Sequence, residues 1–237
     1  MKKLLLSAFF ICCSILVFAQ KVINDPNAEV RSVNGFHAIQ VSNSFQVYIT
    51  QGNEEALAVS SNMKEDMEKI ITRVENGVLK IWLDEKVRWG LKNRKLKAYI
   101  AVKQLDQIRG SGAVTFNIEG ELKAAELKLT LSGASDLKGK LNIAGKLHAN
   151  ISGASDIAIS GTADELIVNA SGASDVKAYD FTTNTCQVDA SGASGVKITV
   201  NKEMSARLSG ASSVSYKGTA MIKDIKTSGA SSISRKS

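Results

Sequence analysis

The chain has 237 residues, 44% hydrophobic and 22% charged, with one Pro, 18 Gly and 5% aromatics. That length supports a sizeable core, and the composition excludes a disordered linker protein, a collagen and a disulfide miniprotein. The formal net charge of +7 is mild and gives no footing for a nucleic-acid partner.

Residues 1–19 read as a signal peptide. Lys2 and Lys3 precede the apolar run from Leu4 to Phe18, which closes in Val17-Phe18-Ala19. The run is too short to favour a membrane span, and nothing later approaches ~18 apolar residues. Cys12 and Cys13 lie inside it, but Phe9-Phe10-Ile11 lacks the small residues of a lipobox. Cleavage is expected after Ala19. Without Lys2 and Lys3, 28 of the 30 basic residues face 23 acidic ones, a net charge of +5. Only Cys186 survives processing, so no intrachain disulfide forms. Stability must come from packing and hydrogen bonds.

Residues 20–109 read as irregular β-rich coils or a small β cap. Phe45, Val47 and Ile49 alternate before the turn signal Gln51-Gly52-Asn53. Met63 to Thr72 offers one short helix, and Asn76-Gly77 predicts a hairpin within Val74 to Leu83. The segment Trp82–Tyr99 holds both tryptophans, Trp82 and Trp89. It also carries six basic residues in positions 86–97 (Lys86, Arg88, Lys92, Arg94, Lys95 and Lys97) with no acid among them. Aromatic faces beside guanidinium groups suit sugar rings and anionic groups, so Trp82, Arg88, Trp89, Arg94 and Tyr99 are the candidate ligand-binding residues. The competing reading is a solvated basic loop with one core Trp.

Residues 110–237 repeat. Ser-Gly-Ala-Ser begins at Ser132, Ser152, Ser171, Ser191, Ser209 and Ser228, after a weaker copy at Ser111, with intervals of 18 to 21 residues. One place before each motif stand Leu131, Ile151, Ala170, Ala190, Leu208 and Thr227. Three before stand Leu129, Ala149, Val168, Val188, Ala206 and Ile225, and five before Leu127, Leu147, Leu166, Cys186, Met204 and Lys223. The columns between are mostly polar. This period-2 pattern, in register through every unit, predicts one half-buried strand per unit and no helix. A unit of about 20 residues is too short for a propeller blade. The pattern predicts an all-β, single-stranded parallel β-helix (solenoid) with about 20-residue coils and an irregular β-rich N-terminal portion; an array of antiparallel hairpins is the alternative. Small residues permit tight stacking: Gly takes positive φ, Ala packs without clash, and Ser hydroxyls can bond along a ladder.

The run Arg31-Ser-Val33-Asn-Gly35-Phe36-His-Ala-Ile39-Gln-Val41, then Phe45-Gln-Val47-Tyr-Ile49 and Gln51-Gly52, then the iterated Ser-Gly-Ala-Ser units, resembles the autotransporter adhesin head, or GIN domain, family. The resemblance covers Val30 to Ser234. It implies an exported β-helical protein of diderm bacteria, without an assigned function and without a catalytic motif to transfer.

Candidate chemistry is sparse. Ser135-Asp-Leu-Lys138, Ser174-Asp-Val-Lys177 and Ser194-Gly-Val-Lys197 match Ser-x-x-Lys. That spacing shares a face on a helix and splits across a strand, so no catalytic residue is assigned. His37 and His148 join no triad or zinc site, and Cys186 reads as a core thiol. Asp136, Asp156 and Asp175 hold one position in successive units. Calcium could bridge them with neighbouring Ser hydroxyls; a solvated stripe flanked by Lys138 and Lys177, without cofactor, is the preferred reading. The chain is therefore expected to be a non-enzymatic, adhesin-like module exported to the periplasm, outer-membrane surface or exterior. Its expected partner is a glycan or envelope component. A structural or assembly role is the alternative, followed by a polysaccharide lyase or hydrolase.

Overall fold

The structure, a computed structural model, describes residues 25–84 and 94–236. Strands β1 (Glu29–Arg31), β2 (Ala38–Asn43), β3 (Phe45–Gln51) and β4 (Ala56–Ser61) come first. Helix α1 (Lys64–Met67), the hairpin β5 (Ile70–Glu75) and β6 (Val78–Leu83), and β7 (Leu96–Val102) follow. The regular coils are built from β8 (Gln107–Gly112), β9 (Thr115–Ala124), β10 (Leu127–Leu131), β11 (Asp136–Ile143) and β12 (Lys146–Ile151). Three long strands, β13 (Asp156–Ala170), β14 (Asp175–Ala190) and β15 (Gly195–Leu208), lead to β16 (Ser213–Lys217), β17 (Met221–Thr227) and β18 (Ser232–Arg235).

Alternation fixes the architecture. In β10, Leu127, Leu129 and Leu131 are buried while Lys128 is exposed. Each strand pairs in parallel with its counterpart one coil on. Leu129 thereby stands over Ala149, Val168, Val188 and Ala206. Across the coil, Leu137 stands over Ile157, Val176, Val196 and Val214. Two parallel stacks result. The front stack runs β6, β2, β8, β10, β12, the C-terminal halves of β13 to β15, and β17. The back stack holds β7, β3, β9, β11, the N-terminal halves of β13 to β15, β16 and β18. Inward side chains from both fill one core, each fully buried aliphatic contributing about 1.5–3 kcal/mol. The fold is a parallel β-solenoid with coils of about 20 residues.

The Ser-Gly-Ala-Ser motif is the corner between the stacks. Gly172 has φ +78°, and a Cβ there would lie 2.4 Å from the carbonyl oxygen of Gly153, one coil away. The following Ala173 N–H donates to that same oxygen at 2.8 Å, and the pattern recurs from coil to coil. The fourth serine is buried, and its hydroxyl donates to the carbonyl of the first: Ser135 to Ser132, Ser155 to Ser152 and Ser174 to Ser171, each at 2.9 Å. This local bond, rather than a hydroxyl ladder between coils, is its main commitment.

The N-terminal strands break the sequential order. β2 is wedged between β6 and β8, and β3 between β7 and β9, so the first coil in sequence is the second in space. Asn43 occupies the corner there at φ +72°, and its Oδ1 accepts from the Leu83 N–H at 2.9 Å. Antiparallel strands close this end: β5 on β6, with the Asn76-Gly77 turn at positive φ, β4 on β7, and β1 on β4. At the other end, a register shift places Ile222, not Lys223, beneath Met204. A bulge of one residue restores an apolar inward side chain where simple counting puts a lysine.

Candidate functional site

The outward side of the front stack carries two adjoining columns. One runs Lys80, Gln40, Arg109, Thr130, Asn150, Asn169, Asp189, Arg207 and Lys226. Beside it, Ser42 pairs with Ser111, their hydroxyls 3.0 Å apart, and the column continues through the first serine of each corner. Trp82 follows the Val41–Ile81 pair on β6 and so heads this serine column. Both columns exist because the period of two turns these positions away from the core.

Two shallow hollows lie on this face. The first, about 370 Å³, is formed by Gln40, Ser42, Arg73, Glu75, Lys80 and Trp82, with Ile81 beneath. The Arg73 guanidinium stands 5.8 Å from the Trp82 ring centre, a cation–π contact that fixes the half-buried ring. Lys80 Nζ bonds Glu75 at 2.6 Å and holds its carboxyl below the usual range. The second hollow, about 300 Å³, follows Thr130, Asn150, Asn169 and Asp189, with Ser152, Ser171 and Ser191 along its edge. Asn169 Nδ2 donates to Asn150 Oδ1 at 2.8 Å and lies 2.9 Å from His148 Nε2. Burial, aided by Lys128 and Lys146, pushes the His148 imidazole below its ordinary value.

The residues expected to bind together are not gathered in one place. Trp82 is on the front face. Tyr99 belongs to β7 in the back stack, where its ring stacks on Tyr48 at 5.2 Å and its hydroxyl donates to Asp25 at 2.9 Å. Arg94 Nε is tied to Asp66, which is fully buried, at 2.6 Å. Tyr99 and Arg94 are thus committed to packing, and 18 residues of sequence conceal that the segment passes from one stack to the other. Arg88 and Trp89 lie outside the described residues.

Asp136, Asp156 and Asp175 do occupy successive rungs, on the back face. Lys177 Nζ bonds Asp156 at 2.7 Å, and that bond raises the lysine above its ordinary value. Among the described residues, no group of three or more His, Cys, Asp or Glu side chains is placed to hold a metal ion. Ser135, Ser174 and Ser194 of the Ser-x-x-Lys matches are buried, with their hydroxyls spent inside their own corners. Burial alone pushes the Cys186 thiol up to about 12. His37 pairs with Asp106 at 2.8 Å on the surface, far in sequence but one rung away in space.

The front hollows were not singled out from sequence. The available signal was the place two before each motif, which is polar in every unit: Thr130, Asn150 and Asn169, then Asp189, Arg207 and Lys226.

Comparison with known proteins agrees with this architecture. A family model described as "Putative auto-transporter adhesin, head GIN domain" matches residues 35–220, and the chain belongs to that family. A crystal structure named a putative adhesin from Bacteroides fragilis is similar at TM-score 0.79 and 21% identity, covering 88% of this chain and 95% of that one. One of the same description from Parabacteroides merdae gives 0.69 and 14%, over 89% and 95%. A third, named a putative lipid binding protein, from Parabacteroides distasonis, gives 0.70 and 19%, over 90% and 98%. At these identities the likeness is one of fold. No functionally curated protein matches the chain significantly.

Proposed function

We propose that this member of the family is an exported, adhesin-like binding module that holds a glycan, or a glycan-bearing envelope component, on its front face. The observation that carries the proposal is the Trp82 hollow. There a half-buried indole, fixed by Arg73, adjoins Gln40, Ser42 and Lys80. An aromatic floor ringed by hydrogen-bonding groups is what a pyranose ring, apolar on its faces and polar at its rim, requires. The export reading is supported by the pattern of residues 1–19 and by the family's description.

The test is a glycan array probed with residues 20–237 and with Trp82→Ala. Wild type should capture a restricted set of glycans, and the variant should lose about tenfold or more in affinity, the scale of a central aromatic anchor. Circular dichroism must show an unchanged fold. If wild type captures nothing, or Trp82→Ala binds equally well, the proposal falls and an assembly role moves ahead.

A further inference from the structure

We infer that the C-terminal end of the solenoid docks a second copy of this chain, tail to tail, about a twofold axis that runs from front to back through Ile225 and Ile233. Among the described residues, the last coil is covered on one side only. β17 pairs with β15 and β18 with β16, and no strand pairs with either on the far side. The other end is closed by β5, β4 and β1. The inward columns record the difference. Ala206 and Val214 are buried, but Ile225 beneath Ala206 is 40% exposed and Ile233 beneath Val214 only half-buried, and Met221 beside them is 69% exposed. Alternate backbone N–H and C=O groups of both strands point away from the fold, a template for a further strand.

This edge is not blunted. A charge aimed inward is what keeps sheet edges apart, and β17 aims Ile222, Ile225 and Thr227 inward, beneath Met204, Ala206 and Leu208. Its two lysines are exposed and have acid partners, Lys223 on Glu203 at 2.7 Å and Lys226 on Asp224 at 3.7 Å.

A second copy fits in one register. Edge strands joined by such a twofold axis run antiparallel, and residues directly opposite share a face. With Ile225 on the axis it meets its own copy, inward against inward. Asp224 then stands opposite Lys226 of the other copy, outward against outward, and this pair of opposite charges occurs twice. The one-residue bulge at Lys223 sets Ile222 opposite Thr227, again inward against inward. Moving the axis to Asp224 or to Lys226 sets like charges face to face, and an axis between residues sets inward against outward. The same axis suits the back stack. Ile225 lies three residues before the corner that opens at Ser228, and Ile233 two after its close at Ser231, so the two stand across the core from each other. Ile233 then meets its copy and Ser232 meets Ser234. Arg235 and its copy stand two residues either side of the axis, roughly 13 Å apart, beyond a Debye length at physiological salt. The nine rungs of one front stack continue into the nine of the other, with a Trp82 hollow at either end. On the glycan reading the pair is bivalent, but the docking does not depend on that reading.

The experiment is sedimentation equilibrium of residues 20–237, with hydrogen exchange at the same concentrations. The chain should be a dimer at about 100 μM, where a micromolar complex is largely formed, and dimerisation should slow exchange in β17 and β18. Asp224→Lys and Lys226→Asp each set like charges opposite one another twice, so each variant alone should dimerise about tenfold or more weakly. Mixed in equal parts, the two variants place opposite charges at both pairs and should form a heterodimer of nearly wild-type affinity, a recovery that a damaged fold cannot give. The double variant Asp224→Lys/Lys226→Asp should recover in the same way. A monomer at about 100 μM, a dimer whose protection falls on β1 or β5, open assemblies larger than two, or a mixture no tighter than its single variants each overturns the inference.

Discussion

Replacing Gly172 by Ala isolates what the corner demands. Two costs meet there. At φ +78° any residue with a Cβ is strained by about 1–2 kcal/mol. The added carbon would also lie 2.4 Å from the Gly153 oxygen and 3.1 Å from its nitrogen, both backbone atoms in a neighbouring rung. Relief requires the rungs to part, which stretches the Ala173 N–H bond to Gly153, itself worth about 0.5–1.5 kcal/mol. The expected loss is about 3 kcal/mol. Two other glycines serve as internal standards. Gly35 has φ +69° and nothing within 4 Å, so Gly35→Ala should cost only the strain, about 1–2 kcal/mol. Gly52 has neither positive φ nor a close neighbour, and its Ala variant should be neutral or slightly stabilising through the unfolded chain. Urea unfolding followed by circular dichroism gives the three differences, and amide exchange at Ala173 locates the loss. If Gly172→Ala costs no more than Gly35→Ala, the corners are not limited by the approach of successive rungs, and the account of the motif is wrong.

Cys186→Ser should destabilise by about 1–3 kcal/mol, because a hydroxyl replaces a thiol between Leu166 and Met204, and unfolding titrations would read the loss. The same burial gives a pH signature. With the thiol at about 12 in the folded chain against 9.0 ordinarily, stability is full below pH 9 and falls as pH rises towards 12, a fall that a Cys186→Ala variant should lack. Asp25 behaves in the opposite sense. Burial pushes its carboxyl up, but hydrogen bonds from Lys97, Tyr99, the Asn27 N–H and Ser60 together outweigh it and hold the group at about 2. Its contribution is therefore present above pH 3.8 and lost as pH falls through 2, and Asp25→Asn should flatten the stability profile across that window.

The solenoid was legible because its inward columns are filled in nearly every unit. Leu129, Ala149, Val168, Val188 and Ala206 stand in the order that simple counting places them. Counting fails where a bulge intervenes, as at Lys223, because one extra residue shifts facing without leaving a mark in composition. The hairpin at Asn76-Gly77 was legible for a different reason: its chemistry is local, with both residues at positive φ. The gathering of a binding site was much less so. Trp82 and Tyr99 are near in sequence, yet they sit in different stacks. Trp82 and Ser42 are 40 residues apart, yet they line one hollow. Alternation tells which side of a strand a residue takes; it says nothing of which strand comes next.

That gap has a physical source in the wedged first coil. In the regular region, paired rungs are about 20 residues apart, so each new coil closes on the one just made. β2 meets β8 across 69 residues, as the Ser42–Ser111 contact shows. Closing the longer loop costs roughly 1 kcal/mol more in chain entropy. It is offset by a coil whose inward residues Ile39, Val41, Phe45, Val47 and Ile49 are all essentially buried. The Trp82 hollow needs that insertion, since Gln40 and Ser42 form one wall while Arg73, Glu75 and Lys80 form the other. The repeats supply a regular ladder of polar groups, and the out-of-order coil brings Gln40 and Ser42 beside Trp82 at one end of it. Trp82 is the feature that distinguishes one rung from the rest.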